Sequence, residues 1–271
     1  MRYPAVAGRF YPAERDALLQ SIEECFEHPI GPGRIGECTG ERSIKGVLCP
    51  HAGYACSGMN AAHSYKRIAE DGLPDAYVII GPDHYGIPFD SALCTESYLT
   101  PLGECKIHHR IADRLARYVP DVSRAHMLEH SVEVQVPFIQ YIDDDPLIVP
   151  IIMSDQSINA AQRLGAAIKE ACEGYDVIVI ASSDMSHYIP KPLAEKKDMM
   201  LLDRMCALDM EGMYRTIEDN DISACGYGPI ASLVYATGPS EVQMLRHSDS
   251  WDALGYQKDS VVGYASAVFR A

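Results

Sequence analysis

The chain has no apolar run near the ~20 residues that a helix needs to cross a bilayer, so a membrane-spanning protein is not expected. Residues 1–12 lack the long apolar centre of a secretory signal. Cations are scarce: 23 Lys and Arg stand against 38 Asp and Glu, for a formal net charge of −15. Nucleic-acid and anionic-membrane surfaces need clustered Lys and Arg, so neither partner is expected. No C-x-x-C pair occurs, which leaves a zinc ribbon or a thioredoxin-type site without support. The nine cysteines are odd in number. Cys49 in a strand-like run, and Cys172 and Cys206 in helical patterns, read as small buried hydrophobes rather than a disulfide framework. That usage suits a reducing cytoplasm, the expected location. Internal repeats and low-complexity tracts are also missing. The one loose stretch, residues 29–41 with Gly31, Pro32, Gly33, Gly36 and Gly40, lies too near the N-terminus to divide two domains. One domain over residues 1–271 is expected.

With 47% of its 271 residues hydrophobic, the chain can bury a sizeable core. Short β-rich runs alternate with helical patterns. Residues 46–49, 76–80, 147–152 and 176–181 read as strands, with Pro150 marking an edge or a strand end. Helices fit residues 57–71, with Ser57 as N-cap and Gly72 as stop, and 106–118, ended by Pro120. A further helix fits 157–172, with Ile158, Ala161, Leu164, Ala167, Ile168 and Ala171 on one face. Residues 192–208, 210–218 and 226–236 also read as helices, and 241–247 and 260–269 as closing strands. Strands separated by helices predict a three-layer α/β/α domain. An antiparallel closing pair would make the sheet mixed.

Histidine- or cysteine-bearing turns punctuate these runs. Pro50-His51-Ala52-Gly53-Tyr54, Gly81-Pro82-Asp83-His84 and Ser183-Asp184-Met185-Ser186-His187 each follow a strand-like run, and Cys225-Gly226-Tyr227-Gly228-Pro229 precedes a helix. Groups just past the carboxyl ends of parallel strands converge on one crevice, so three imidazoles and a thiol delivered there suggest a metal centre. Taken singly, each has a plainer account: a loop histidine, a helix cap in Ser182, Ser183 and Asp184, a structural cysteine. Asp83 is a partner for His84 or an N-cap. Asp184 and His187 share a face if the chain turns helically there; His187 is then an acid/base oriented by Asp184, or either is a ligand. Cys225 sits at a helix N-terminus, where the dipole favours thiolate. His130, in Glu129-His130-Ser131-Val132-Glu133, either lines the site, held by Glu129 or Glu133, or opens a solvated helix. Tyr54, Tyr188 and Tyr227 form an aromatic wall or are ordinary core and rim residues. His28, His63, His108, His109, His126 and His247 lack such context.

In order and spacing these segments, together with Ala7-Gly8-Arg9-Phe10-Tyr11-Pro12, resemble the Memo family, whose fold is similar to that of the class III extradiol, non-haem iron dioxygenases. The resemblance runs essentially end to end, and no single motif decides it. It implies that His51, His84 and Cys225 bind one mononuclear transition metal, with Asp184 and His187 lining the same pocket. In the dioxygenase relatives two histidines and a glutamate hold Fe(II), and a further histidine serves as acid/base. Cys225 stands where that carboxylate would be, and a thiolate also suits copper(I) or zinc. Fe(II) or copper is therefore expected, with zinc as a third option, and ring cleavage does not carry over on fold alone.

Three functions follow. The first is a metal-dependent oxidoreductase in which His187 moves a proton. The second is a non-catalytic protein that uses a vestigial enzyme pocket for metal handling or for a small-molecule or peptide ligand. The third is a cysteine hydrolase built from Cys225, His187 and Asp184, which leaves His51 and His84 without a role.

Overall fold

A computed structural model of the chain describes residues 1–271. The apolar runs assemble into one mixed sheet. Its strands are β1 (Ile44–Cys49), β2 (Ala76–Pro82), β3 (Ser91–Leu93), β4 (Tyr98–Thr100), β5 (Gly103–Ile107), β6 (Leu147–Met153), β7 (Val177–Ser182), β8 (Asp184–Ile189), β9 (Glu241–Asp249) and β10 (Val261–Arg270). The spatial order is β4-β5-β6-β2-β7-β1-β10-β8, with β3 also on β6 and β9 on β10. Strands β5, β6, β2, β7 and β1 are parallel, and β10 runs antiparallel to β1, β8 and β9. The central strands are buried almost continuously rather than in alternation, because helices cover both faces.

The helices are α1 (Arg15–Glu27), α2 (Met59–Asp71), α3 (His109–Leu115), α4 (Val136–Ile142), α5 (Ile158–Ala171), α6 (Lys191–Cys206), α7 (Met210–Asn220), α8 (Tyr227–Thr237) and α9 (Ser250–Leu254). One layer groups α1, α2 and α4, with α2 on β1 and β10; the other groups α3, α5 and α8, with α8 on β1, β2 and β7. Sheet and layers share one apolar cluster of 67 buried residues. No helix is long and apolar enough to cross a membrane.

Several local expectations need correction. The helix expected from Ser57 starts at Met59, because residues Tyr54–Gly58 form a wider π-type turn and the Ser57 hydroxyl donates back to Ala52 O at 2.9 Å instead of capping. The helix expected from Lys106 starts at His109; Lys106 and Ile107 pair with Leu147 and Ile148, and the His108 ring caps the helix by accepting from Ile111 N. Pro150 lies inside β6, not at an edge or end. It falls between the part of β6 that pairs with β5 and the part that pairs with β3, so its missing N–H costs no ladder bond there. After Ser183 the chain continues as β8, so the capped helix expected there does not form. At α5 the expected N-cap is present: Ser157 accepts from Ala160 N.

Candidate metal centre

Strands β1, β7 and β2 are parallel neighbours, and Cys49 at the end of β1 pairs with Ser182 at the end of β7. His51 and His84 each lie two residues past their strand, at the same edge of the sheet. His51 is buried; its backbone N–H donates to Asp184 Oδ1 at 2.7 Å. Its Nδ1 lies 2.9 Å from Ser182 Oγ, and that hydroxyl spends its own proton on Ser131 O at 2.6 Å. Ser182 therefore accepts from His51 Nδ1–H, as it also does from Gln135 Nε2. The lone pair is left on Nε2, which faces Cys225 Sγ at 3.1 Å. Burial, helped by the neighbouring imidazoles of His130 and His84, lowers the His51 pKa well below its ordinary value and keeps the ring neutral.

His84 is set in the same way by a carboxylate. Glu129 Oε2 accepts its backbone N–H at 2.7 Å, and Oε1 lies 3.0 Å from Nδ1, which leaves Nε2 as the outward nitrogen. Burial pulls the His84 pKa down, but the hydrogen bond and charge of Glu129 outweigh it and the net shift is upward. For Glu129 burial opposes ionisation, while His84 and the backbone N–H groups of Ser131 and His84 hold it ionised, with its pKa down at about 2. The ligand atoms of His51, His84 and Cys225 all lie within 4.8 Å of one another, a gap that metal–ligand bonds of about 2.0–2.3 Å can bridge. His84, Glu129 and His130 are equally close. Glu129, however, already accepts from His84 N, His84 Nδ1, His130 N and Ser131 N, so it positions the ring rather than offering a free ligand atom.

Cys225 differs from its expected state. Gly226 is the N-cap of α8, and the first helical N–H groups turn elsewhere: Gly226 N to Ser183 Oγ at 2.9 Å and Gly228 N to Gln156 Oε1 at 2.9 Å. The thiol instead faces Asp184 N at 3.2 Å and His51 Nε2. Burial, then the Asp184 carboxylate, push its pKa well above the ordinary range, so the metal-free site holds a thiol and not the dipole-stabilised thiolate. A Cβ at Gly226 would run into Ser182 O and the Ser183 side chain, which explains the glycine beside the cysteine.

Asp184 does not orient His187. Its carboxylate holds the His51 turn, and burial raises its pKa to about 6 despite the His51 N–H and the nearby His187. His187 donates Nδ1–H to Ser223 O at 2.8 Å and its backbone N–H to Ser223 Oγ at 2.8 Å, which leaves Nε2 unused. Ser223 precedes Cys225 by two residues and His187 follows Asp184 by three on β8, which puts its ring at the border of the same crevice. The Cys225–His187–Asp184 triad is not assembled, because the thiol meets His51 and no carboxylate reaches the His51 ring.

His130 joins the cluster, its ring centroid 4.6 Å from that of His84 and 5.5 Å from that of His51. Burial lowers its pKa to about 4. Glu133 is not its holder: this buried carboxylate pairs with the Arg2 guanidinium and accepts from Ala5 N, Val6 N and the Tyr11 hydroxyl, anchoring the N-terminal segment. Of the tyrosines, Tyr54 is core, its hydroxyl on Val134 O at 2.7 Å and its ring against Phe138 and Tyr11. Tyr227 packs edge-on to Tyr214. Tyr188, 75% exposed, sits on the rim beside His187. The residues that sequence reasoning missed are Ser182 as the partner of His51, Glu129 as the partner of His84, and Gln135 and Gln156. Only Ser182 had a signal, as a hydroxyl at the end of a buried strand.

Residues 2–268 match the family model described as Memo-like protein. A MEMO1 family protein of Methanopyrus kandleri is 42% identical, covering 99% of this chain and 99% of the relative. One from Methanothermobacter thermautotrophicus is 43% identical, covering 98% of this chain and 99% of the relative. The crystal structure of an uncharacterised protein from Escherichia coli K12 shares the fold, with a TM-score of 0.52 and 13% identity over 83% of this chain and 99% of that one. The matched span holds every residue of the crevice and the relatives align nearly end to end, so the chain belongs to the Memo family.

Proposed function

We propose that the crevice holds one transition-metal ion through His51 Nε2, His84 Nε2 and Cys225 Sγ, and that it serves oxidation or reduction of a small molecule. One observation carries this reading. Three ligand atoms from three separate segments lie within 4.8 Å, while the other nitrogen of each ring is tied to Ser182 or Glu129. Such outer partners fix the tautomer and direct the free nitrogen, as in established metal sites. The donor set fits iron, copper or zinc, and its single thiolate tilts it towards the softer ions. Three protein ligands leave coordination positions open, as catalysis requires. When bound, iron or copper would supply electron exchange and Lewis acidity.

The protein's own groups supply the rest. Ser182 and Glu129 hold the imidazoles in place, and Asp184 holds the turn that carries His51. His130, neutral near pH 7, and the Phe10 ring packed on it at 4.8 Å form one wall of the crevice. His187, with Nδ1–H committed to Ser223 O, has Nε2 available to take a proton from a bound molecule and return it.

The test is anaerobic titration of the reduced, metal-free protein with Fe(II), Cu(I) and Zn(II), repeated on His51→Ala and Cys225→Ser. One tight equivalent in the wild type, lost in both variants, supports the site; no binding by folded wild type overturns it. His187→Ala should keep the metal and slow proton transfer, and an emptied site would make His187 a ligand. Metal-loaded protein that neither consumes oxygen nor reduces or oxidises any of a broad substrate panel would restrict the function to metal binding.

A further inference from the structure

An exposed arginine without a partner stands on the turn that borders the crevice. Residues 6–11 form a turn in which Arg9 N and Phe10 N donate to Val6 O and Gly8 N donates to Tyr11 O, with Gly8 at φ 78°. This turn is fixed to the crevice at two points. Phe10 O accepts from Tyr54 N at 2.8 Å, next to the His51 turn, and Glu133 holds Ala5, Val6 and Tyr11 from beneath. Phe10 packs its ring edge-on to His130, with centroids 4.8 Å apart. Arg9, the preceding residue, is exposed and its side chain makes no hydrogen bond or ion pair. Burial, and more weakly the charges of His84 and Arg9, lower the His130 pKa.

Three of the nearby acids are already occupied. Glu129 accepts from four N–H groups, Glu133 pairs with Arg2, and Asp83 accepts from the N–H groups of Tyr85, Gly86 and Ile87. Arg2, the other cation of this segment, is buried and committed to Glu133 and to the carbonyls of His126 and Glu129. The turn that carries Phe10 onto the His130 ring therefore also carries an arginine whose side chain makes no hydrogen bond or ion pair, on a chain whose net charge is −15. A molecule this acidic repels anions generally, so an uncommitted cation at one crevice selects where an anion is admitted.

We infer that Arg9 is the recognition group for an anionic ligand of this crevice, a small molecule with a carboxylate or phosphate on an apolar or aromatic body. The planar fork of arginine pairs bidentately with either anion, and Phe10 and His130 offer the surface on which the body packs. The inference rests on the crevice being the working site proposed above, and it assigns that site's substrate class.

The experiment uses two probes, benzoate and phenyl phosphate, titrated into reduced, metal-free protein while the imidazole resonances of His130 are followed by NMR. Wild type should show a saturable His130 shift, stronger with one probe than the other, which distinguishes carboxylate from phosphate recognition. Arg9→Gln should weaken that probe's affinity at least about fivefold, while Arg110→Gln, which removes an exposed cation on α3, should leave it unchanged. Equal affinity in wild type and Arg9→Gln, or no saturable shift with either probe, would overturn the proposal. Metal titration of the same proteins separates the two readings. Arg9-dependent anion binding by a wild type that takes up no metal would sink the metal centre and leave the anion site standing. Full metal uptake without Arg9-dependent anion binding would do the reverse.

Discussion

His51 Nε2 lies 3.1 Å from Cys225 Sγ although the residues are 174 positions apart, and this contact defines the centre of the crevice. Without metal it is a thiol–imidazole hydrogen bond. In the proposed metal-bound state the two groups would share an ion as ligands. Cys225→Ser should therefore lower affinity for Cu(I) or Zn(II) by at least about tenfold, because oxygen is a poorer partner for soft ions. Cys172→Ser, at a buried cysteine at the end of α5, should leave affinity unchanged. Competition titrations with a chelating dye decide it, and equal affinity in the two variants would remove Cys225 from the site.

Metal uptake should release a proton from Cys225. Its pKa is raised by burial and by Asp184, so near pH 7 the thiol is protonated and must lose that proton to bind. Apparent affinity for Zn(II) should rise by about tenfold per pH unit for each proton displaced. Potentiometric proton counting during titration tests this, and an affinity independent of pH between 6.5 and 8 would contradict a thiolate ligand.

Ser182→Ala should weaken metal binding by about 10–100-fold without touching a ligand. It strips the acceptor from His51 Nδ1–H and the donor from Ser131 O, so it should also cost on the order of 1–3 kcal/mol of stability. Ser183→Ala, which alters a hydroxyl bonded to Gly226 N, should leave the His51 tautomer intact. Nitrogen-15 imidazole shifts read the tautomer, and an unchanged His51 spectrum in Ser182→Ala would refute the proposed role.

Gln156 clamps the cysteine turn by donating Nε2–H to Cys225 O at 2.7 Å and accepting Gly228 N at Oε1, 2.9 Å away. Gln156→Ala should free that turn and speed iodoacetamide alkylation of Cys225 several-fold, while global stability falls by only about 1 kcal/mol. Alkylation at the wild-type rate would show that α8 alone holds the thiol.

Stability should fall in mild acid, partly through His126. This fully buried ring lies between the Tyr98 hydroxyl and Ala92 O, and burial lowers its pKa from 6.5 to about 4. The folded state resists a proton that the unfolded chain accepts. The contribution is complete above pH 6.5 and is lost as pH falls from there to about 4, with a size on the order of 3 kcal/mol. His51 and His130 shift the same way and add to the trend. His126→Gln should flatten the stability profile from urea melts between pH 7 and 4.5, and an unchanged slope would count against this assignment.

The layered α/β arrangement and the candidate site residues could be read from local patterns along the chain. Both have local signatures: a buried parallel strand reads as an apolar run, and the turn after it reads as Gly or Pro beside a histidine. His51 and His84 were legible for that reason, and Cys225 through the glycines around it.

Which partner each ring has depends on contacts between distant parts of the chain. Glu129, next to His130 in the chain, belongs to His84 across 45 positions, and Ser182 meets His51 across 131, because the register of β1 against β7 brings those strand ends together. Adjacency suggested that Asp184 orients His187, and a helix start suggested a thiolate at Cys225. β8 forms where a helix was expected, and the first N–H groups of α8 go to Ser183 and Gln156. Protonation states depend on those long-range neighbours and on burial, neither of which a local pattern of residues encodes.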